Sequence, residues 1–235
     1  TTEIYTLSLH DALPICSGSG GFAVEAAMAL AGVPCRVEHL HSLPNEPLRD
    51  KIGHLNDWGQ VPVLQLPDGS VMTELAAIMS HLTAEETGFR DGPHLWVDDQ
   101  ATFLRWSVFL CVNVYEGILR QTYPQRFCGL SGIAGEPQET GSDAWLLANI
   151  SQAADERTHA ALVSLDQATN QHEFLLGNQM SACDVILAML YAWHNQRPDL
   201  KRFTWITSQV ATHPIVRPVW KAHFDMRLDV KWHEL

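Results

Sequence analysis

Two stretches of this chain hold residue types whose spacing could do chemistry. The first is Ser17-Gly18-Ser19-Gly20-Gly21, two hydroxyls in a glycine-rich loop immediately ahead of an apolar run. A serine there can cap a helix or present its hydroxyl at the helix's positive end. A phosphate-binding reading is poorer, because no GxxxxGK[ST] pattern is present. The second is Asn56–Ala77, NDWGQVPVLQLPDGSVMTELAA, in which Pro62 sits at the entry of an apolar strand. A proline is unwelcome there unless it has a purpose. Gln179–Leu190, QMSACDVILAML, holds a third arrangement, with Ser181 and Asp184 spaced as a capping box and Met180 and Val185 placed as its hydrophobic staple. That box starts a core helix, so Asp184 is not read as a catalytic acid.

The remaining reactive side chains are scattered. The five cysteines are widely spaced with no CxxC pair, which fits a reducing cytosol better than a disulfide framework or a zinc site. The twelve histidines show no HExxH, so no metal is expected. Cys35, Cys111 and Cys183 lie in apolar helix or strand patterns and read as small core residues. Lys and Arg number 15 against 27 Asp and Glu, a net charge of −12 that argues against nucleic acid or an anionic membrane as a partner. No apolar run approaches the length of a membrane span.

The elements that must position these groups follow from periodicity. Phe22–Ala31 predicts an Ala-rich helix stopped by Gly32 and Pro34. Cys35–Leu40 and Val61–Leu66 predict strands. Pro67-Asp68-Gly69 predicts a turn, and Ser70–Met72 a returning hairpin strand. Glu74–Ala84 is helical again, with Leu75, Ile78 and Leu82 on one face. Gly88–Leu95 is a Gly/Pro-rich link, and beyond it helices are expected over Val97–Gln121, Ser142–Thr169, Ser181–Asn195, Leu200–Ala211 and Pro214–Phe224. Gly129–Gly141 reads as a flexible connection. The order is a small α/β unit followed by an all-α unit, divided as 16–86, a linker over 87–96, and 97–235.

The stretch Asn56–Ala77 resembles the glutathione S-transferase signature of Gly-x-Val-Pro, strand, Asp-Gly, strand, then Thr-Glu-Ser opening a helix. The Ser181–Asp184 box resembles that of the same family's C-terminal domain. The resemblance spans about residues 17–225 and implies a thioredoxin-like N-terminal domain followed by an all-helical domain. It implies a serine-loop, bacterial-type enzyme. In the family the Val-Pro bond is cis, so the backbone of Val61 would pair with the cysteinyl part of glutathione like an added strand. Gln60, Val61, Pro62, Glu74 and Leu75 are the implied glutathione-binding residues. Glu74 would receive the γ-glutamyl ammonium, and the helix opening at Leu75 would hold the γ-glutamyl carboxylate. Leu75 stands where the family usually has Ser, which implies weaker glutathione affinity rather than none. Register from Val24 lands on Gly18, which leaves Ser19, closer to the helix, and Ser17 as candidates to stabilise the thiolate. Trp106, Phe109, Asn113 and Tyr115 would line the electrophile pocket.

The implied function is conjugation of glutathione, as co-substrate, to small hydrophobic electrophiles in detoxification. A homodimer in the cytoplasm, with no metal, is expected alongside. Two alternatives stay open: a non-catalytic binding or assembly protein of the same fold, and a cysteine-dependent thiol reductase. Arg120, Tyr123 and Arg126 read as a structural salt-bridge face. Thr1–Ile15 resembles a translated sequencing adapter, and the codon of Cys16 would straddle its junction, so the natural start is expected to be overwritten. Removing that stretch, with Glu3 and Asp11, takes the net charge from −12 to −10. In its place Leu13-Pro14-Ile15 would have to serve as the central strand, where Pro14 removes a ladder donor. The chain is therefore expected to be less stable than one with its natural N-terminus.

Overall fold

Ala, Leu and Met give Phe22–Ala31 high helix propensity and apolar surface on every side, and such a helix must be buried all round. In the computed structural model it forms α1, Gly21–Ala31, and Phe22, Ala23, Val24, Ala26, Ala27, Met28 and Leu30 are all buried. Gly32 ends it in the left-handed region, its amide bonding back to the Ala29 and Met28 carbonyls. The structure describes residues 12–15, 18–33, 35–40, 48–84, 97, 99–128, 141–194 and 199–224. The expected linker at 87–96 and nearly all of the Gly-rich connection at 129–141 lie outside these.

The α/β unit runs β1 (Ala12–Ile15), α1, β2 (Arg36–His39), α2 (Leu48–Ile52), β3 (Leu64–Gln65), β4 (Val71–Met72) and α3 (Leu75–Thr83). The sheet order is β2-β1-β3-β4, with β1 parallel to β2 and antiparallel to β3. β1 is therefore the central strand, placed from the segment that resembles an adapter. β3 and β4 form the hairpin, closed by Leu66 donating to the Ser70 carbonyl and by the Asp68 carboxylate accepting the Ser70 amide and hydroxyl. β3 is shorter than the apolar run Val61–Leu66 suggested, because Pro62 has no amide to donate. The short helix α2 was not expected from the sequence.

The helical unit begins with α4 (Gln100–Phe109), a π-helical segment at Leu110–Tyr115 and α5 (Glu116–Thr122), which together make one continuous rod. α6 (Gly141–Thr169), α7 (Ala182–Trp193), α8 (Lys201–Thr212) and α9 (Arg217–Phe224) follow. The start of α7 is fixed by the capping box: the buried Asp184 carboxylate accepts the Ser181 amide at 2.8 Å, the Ser181 hydroxyl at 2.6 Å and the Leu175 amide at 2.8 Å. Burial pushes that carboxyl up to about 6 against the pull of these donors. One contiguous apolar core runs from Phe22 to Phe224, so α1 packs on α3 on one side and on α7 and α9 on the other.

Pro14, opposite Glu38 in the register, withholds one donor from the middle of the sheet, and pairing of β1 with β3 is confined to Ala12 and Gln65. Pro14→Val should restore a ladder bond worth about 1 kcal/mol. Thermal melting would register it as a rise of roughly 2–4 °C for a chain of this size.

Candidate functional site

The loop ahead of α1 is held from both ends of the sequence. Gly18 lies at φ +68°, a conformation that favours glycine, and its amide donates to His223 Nδ1 on α9 at 3.1 Å. The other ring nitrogen of His223 lies 2.9 Å from Glu25 Oε2 on α1. An acceptor role at Nδ1 requires the proton on Nε2, so the ring donates there to the Glu25 carboxylate. The Ser19 hydroxyl oxygen accepts the Gly21 amide at 3.2 Å, and the Ser19 carbonyl accepts the Phe22 amide at 3.1 Å. Ser19 therefore closes the first turn of the helix. Ser17 and Cys16 lie outside the described residues.

Gly20 sits where two other elements meet α1. A Cβ built on it would lie 3.0 Å from the Tyr115 hydroxyl and 3.3 Å from Pro62 Cδ. Pro62 follows a cis peptide bond after Val61 and is buried. The Asn56 side chain ties the approach to it, donating to the Gln60 carbonyl at 2.9 Å while accepting the Trp58 amide at 3.1 Å. The loop before Val61 is thus set by one side-chain amide.

On the far side of the hairpin, Glu74 is exposed and holds φ +68° with ψ 115° at the N-terminus of α3. Residues other than glycine are rare there, and the strain is on the order of 1–3 kcal/mol. The Glu74 side chain makes no capping bond to α3. Leu75, at the position of the missing serine, is buried in the core. The Cys111 thiol faces this same end of α3: burial pushes it up to about 11, the Ala76 amide pulls it down, and Glu74 pushes it further up. The buried Cys183 thiol is likewise raised well above its ordinary value by burial.

Of the four residues expected to line a pocket, Tyr115 is brought to the α1 terminus. Burial pushes its hydroxyl up to about 12, partly offset by the Gly20 amide. Trp106 is buried and packs edge-to-face on Phe109 with centroids 5.6 Å apart, while the Arg105 guanidinium lies 4.3 Å from the Trp106 ring centroid. Asn113 donates to the Phe109 carbonyl one turn back, at 3.3 Å. Further along, Arg120 pairs with Glu116 at 3.2 Å and lies over Phe127, and Arg126 lies over Tyr123, a surface face as expected. Among the described residues no group of three or more His, Cys, Asp or Glu could hold a metal ion.

His223, Glu25 and the position of Cys111 were not singled out from the sequence. One signal was available, because Glu25 is the single charge in FAVEAAMALA, and a carboxylate on a buried helix needs a partner. His223→Leu removes the acceptor for Gly18 and leaves Glu25 without its donor. It should lower unfolding free energy by about 1–3 kcal/mol in a denaturant titration.

Residues 22–85 match the family model of the glutathione S-transferase N-terminal domain. No curated protein matches the chain by sequence. Among solved structures, the chain is similar to a glutathione S-transferase from Xylella fastidiosa, with 20% identity, a TM-score of 0.73, and coverage of 91% of this chain and 98% of that one. It is similar to a glutathione transferase homologue from Sulfitobacter with bound glutathione, at 16% identity and a TM-score of 0.74, covering 90% of this chain and 97% of that one. It is also similar to a sphingomonad glutathione S-transferase complexed with glutathione, at 18% identity and a TM-score of 0.67, covering 90% and 98%. The thioredoxin-like unit with its helical remainder has the glutathione S-transferase fold, and residues 22–85 carry that family's N-terminal domain pattern.

Proposed function

We propose that the chain is a glutathione transferase that conjugates the glutathione thiolate to small hydrophobic electrophiles. The observation that carries this reading is Glu74, held at φ +68° on the exposed end of α3. Backbone strain at an exposed helix terminus points to a role in contacting a ligand. In this reading Glu74 receives the γ-glutamyl ammonium, and the first amides of α3, Leu75 among them, receive the carboxylate. The backbone of Val61, framed by Gln60 and Pro62, pairs with the cysteinyl unit. The sulfur then falls at the α1 terminus beside Ser19, or Ser17, where helix dipole and hydroxyl favour thiolate. The thiol proton leaves to solvent, and the sulfur lone pair forms the new C–S bond as the electrophile's leaving group departs or its π pair shifts. Trp106, Phe109, Asn113 and Tyr115 face the electrophile. We also propose the domain limits 16–86 and 97–235, detoxification as the role, and a cytoplasmic location. Among the described residues no helix is long and apolar enough to cross a membrane.

A homodimer is part of the proposal. Leu104, Val108 and Val112 form an exposed apolar stripe at steps of four along α4 and the π segment, a surface suited to a second copy. Of the two alternatives, a cysteine-dependent reductase would not act through Cys111 or Cys183, whose raised thiols are poor nucleophiles, and would need Cys16, which lies outside the described residues. A non-catalytic binding protein of this fold is separated by activity alone.

Retention on immobilised glutathione is expected, together with a higher melting temperature from about 2.7 kcal/mol of linkage stabilisation at free glutathione a hundredfold above Kd. The absence of both would end the glutathione reading. Binding without turnover of any aryl halide or enal would leave the non-catalytic alternative. Glu74→Gly should act in opposite directions, raising the melting temperature of the free chain by relieving strain while weakening glutathione binding at least tenfold, about 1.4 kcal/mol.

A further inference from the structure

We propose that Tyr115, contributed by the helical unit, is a catalytic hydroxyl that donates directly to the glutathione sulfur from the side opposite Ser19. The proposal rests on the glutathione reading above and assigns Tyr115 to the thiol rather than to the electrophile pocket alone.

Three observations converge on this hydroxyl. The first is position. The Tyr115 oxygen lies at the α1 terminus so closely that a methyl group on Gly20 would approach it to 3.0 Å, with Pro62 at 3.3 Å on the same side. Gly20 has an ordinary helical φ of −54°, so glycine is required there for space and not for conformation. The space it leaves is bounded by the loop, by Pro62 and by the Tyr115 hydroxyl, the same three walls that must surround the sulfur.

The second is orientation. Tyr115 is the last residue of the π-helical segment, where the Glu116 amide bonds to the Cys111 carbonyl. The extra residue in that turn shifts the angular register of the rod, and such bulges are frequent at functional sites. The ring is then braced by Trp193, with centroids 5.2 Å apart and planes tilted by 56°. Tyr115 is half-buried, so one side of it stays accessible.

The third is chemistry. The Gly20 amide donates toward the tyrosine oxygen, which occupies that oxygen as an acceptor and turns its own proton away from the helix. An oxygen that accepts one bond donates the next more strongly. Burial holds the hydroxyl protonated across the working pH range, so it keeps a proton to donate, and a donor fixed beside a sulfur favours the thiolate over the thiol. No proton is transferred to or from Tyr115; the thiol proton goes to solvent, and the Tyr115 hydrogen bond stabilises the charge left behind.

The test is titration of the thiol of glutathione bound to the full chain, followed by the ultraviolet absorbance of the thiolate. Tyr115→Phe keeps the ring and removes the donor. It should raise the bound thiol pKa by about one unit, a tenfold loss of thiolate below that pKa. Glutathione Kd should move by less than about threefold. Incorporation of monofluorotyrosine at position 115 keeps both shape and donor while making the hydroxyl more acidic, and should lower the thiol pKa. A role in packing alone would not produce these opposite shifts. An unchanged thiol pKa in Tyr115→Phe with glutathione bound, or no response to fluorination, would overturn the proposal while leaving the glutathione reading intact. Failure of the unaltered chain to bind glutathione would remove both.

Discussion

Helix α1 is apolar on every face yet carries one carboxylate, and the molecule is organised around meeting both requirements. The apolar faces are covered by the sheet and α3 on one side and by α7 and α9 on the other, so neither unit buries this helix alone. The carboxylate of Glu25 is met by His223, which α9 delivers to the same helix. A half-buried carboxylate left without a donor is costly, so the position of α9 is set by a polar contact as well as by the Phe22, Trp220 and Phe224 aromatic cluster. Because the second nitrogen of His223 holds Gly18, the contact that settles the core also sets the loop at the helix's positive end.

From that constraint the site follows. With α1 fixed, its N-terminus, Pro62 and the π segment must share the space left by a missing Cβ at Gly20. The end of α3, which the Glu74 side chain leaves without a cap, opens nearby, with Cys111 beneath it. The first amides of α3 suit a carboxylate, whereas the amides at the α1 terminus are taken up by His223, Tyr115 and Ser19 and leave that end its helix dipole.

Much of this was legible in the sequence where local physics decides. α1, the Asp68-Gly69 hairpin, α3 and the Ser181–Asp184 box each carry their own signals of propensity, turn chemistry or capping, and each appears where those signals place it. Features that depend on distant partners were not legible. The π segment has no pattern of its own, since an ordinary helix would accept LCVNVY, and the shift in register becomes visible only in Tyr115. α2 is too short to show a period. Gly18 and His223 are separated by 205 residues, and nothing near either one announces the other. Leu75 was legible as a lost serine hydroxyl, but its burial in the core depends on the packing of α3.

The Gly18–His223 bond also bears on the order of assembly. A contact closing a loop of that length forms late, because it must await the ordering of nearly everything between. The hairpin can pair through a short loop, but the turn ahead of α1 takes its final shape only when the last described helix docks. The amide of Gly18 is therefore a built-in reporter of α9: its exchange with solvent hydrogen follows the undocking of a helix at the other end of the sequence, on a free-energy scale of its own beneath that of global unfolding.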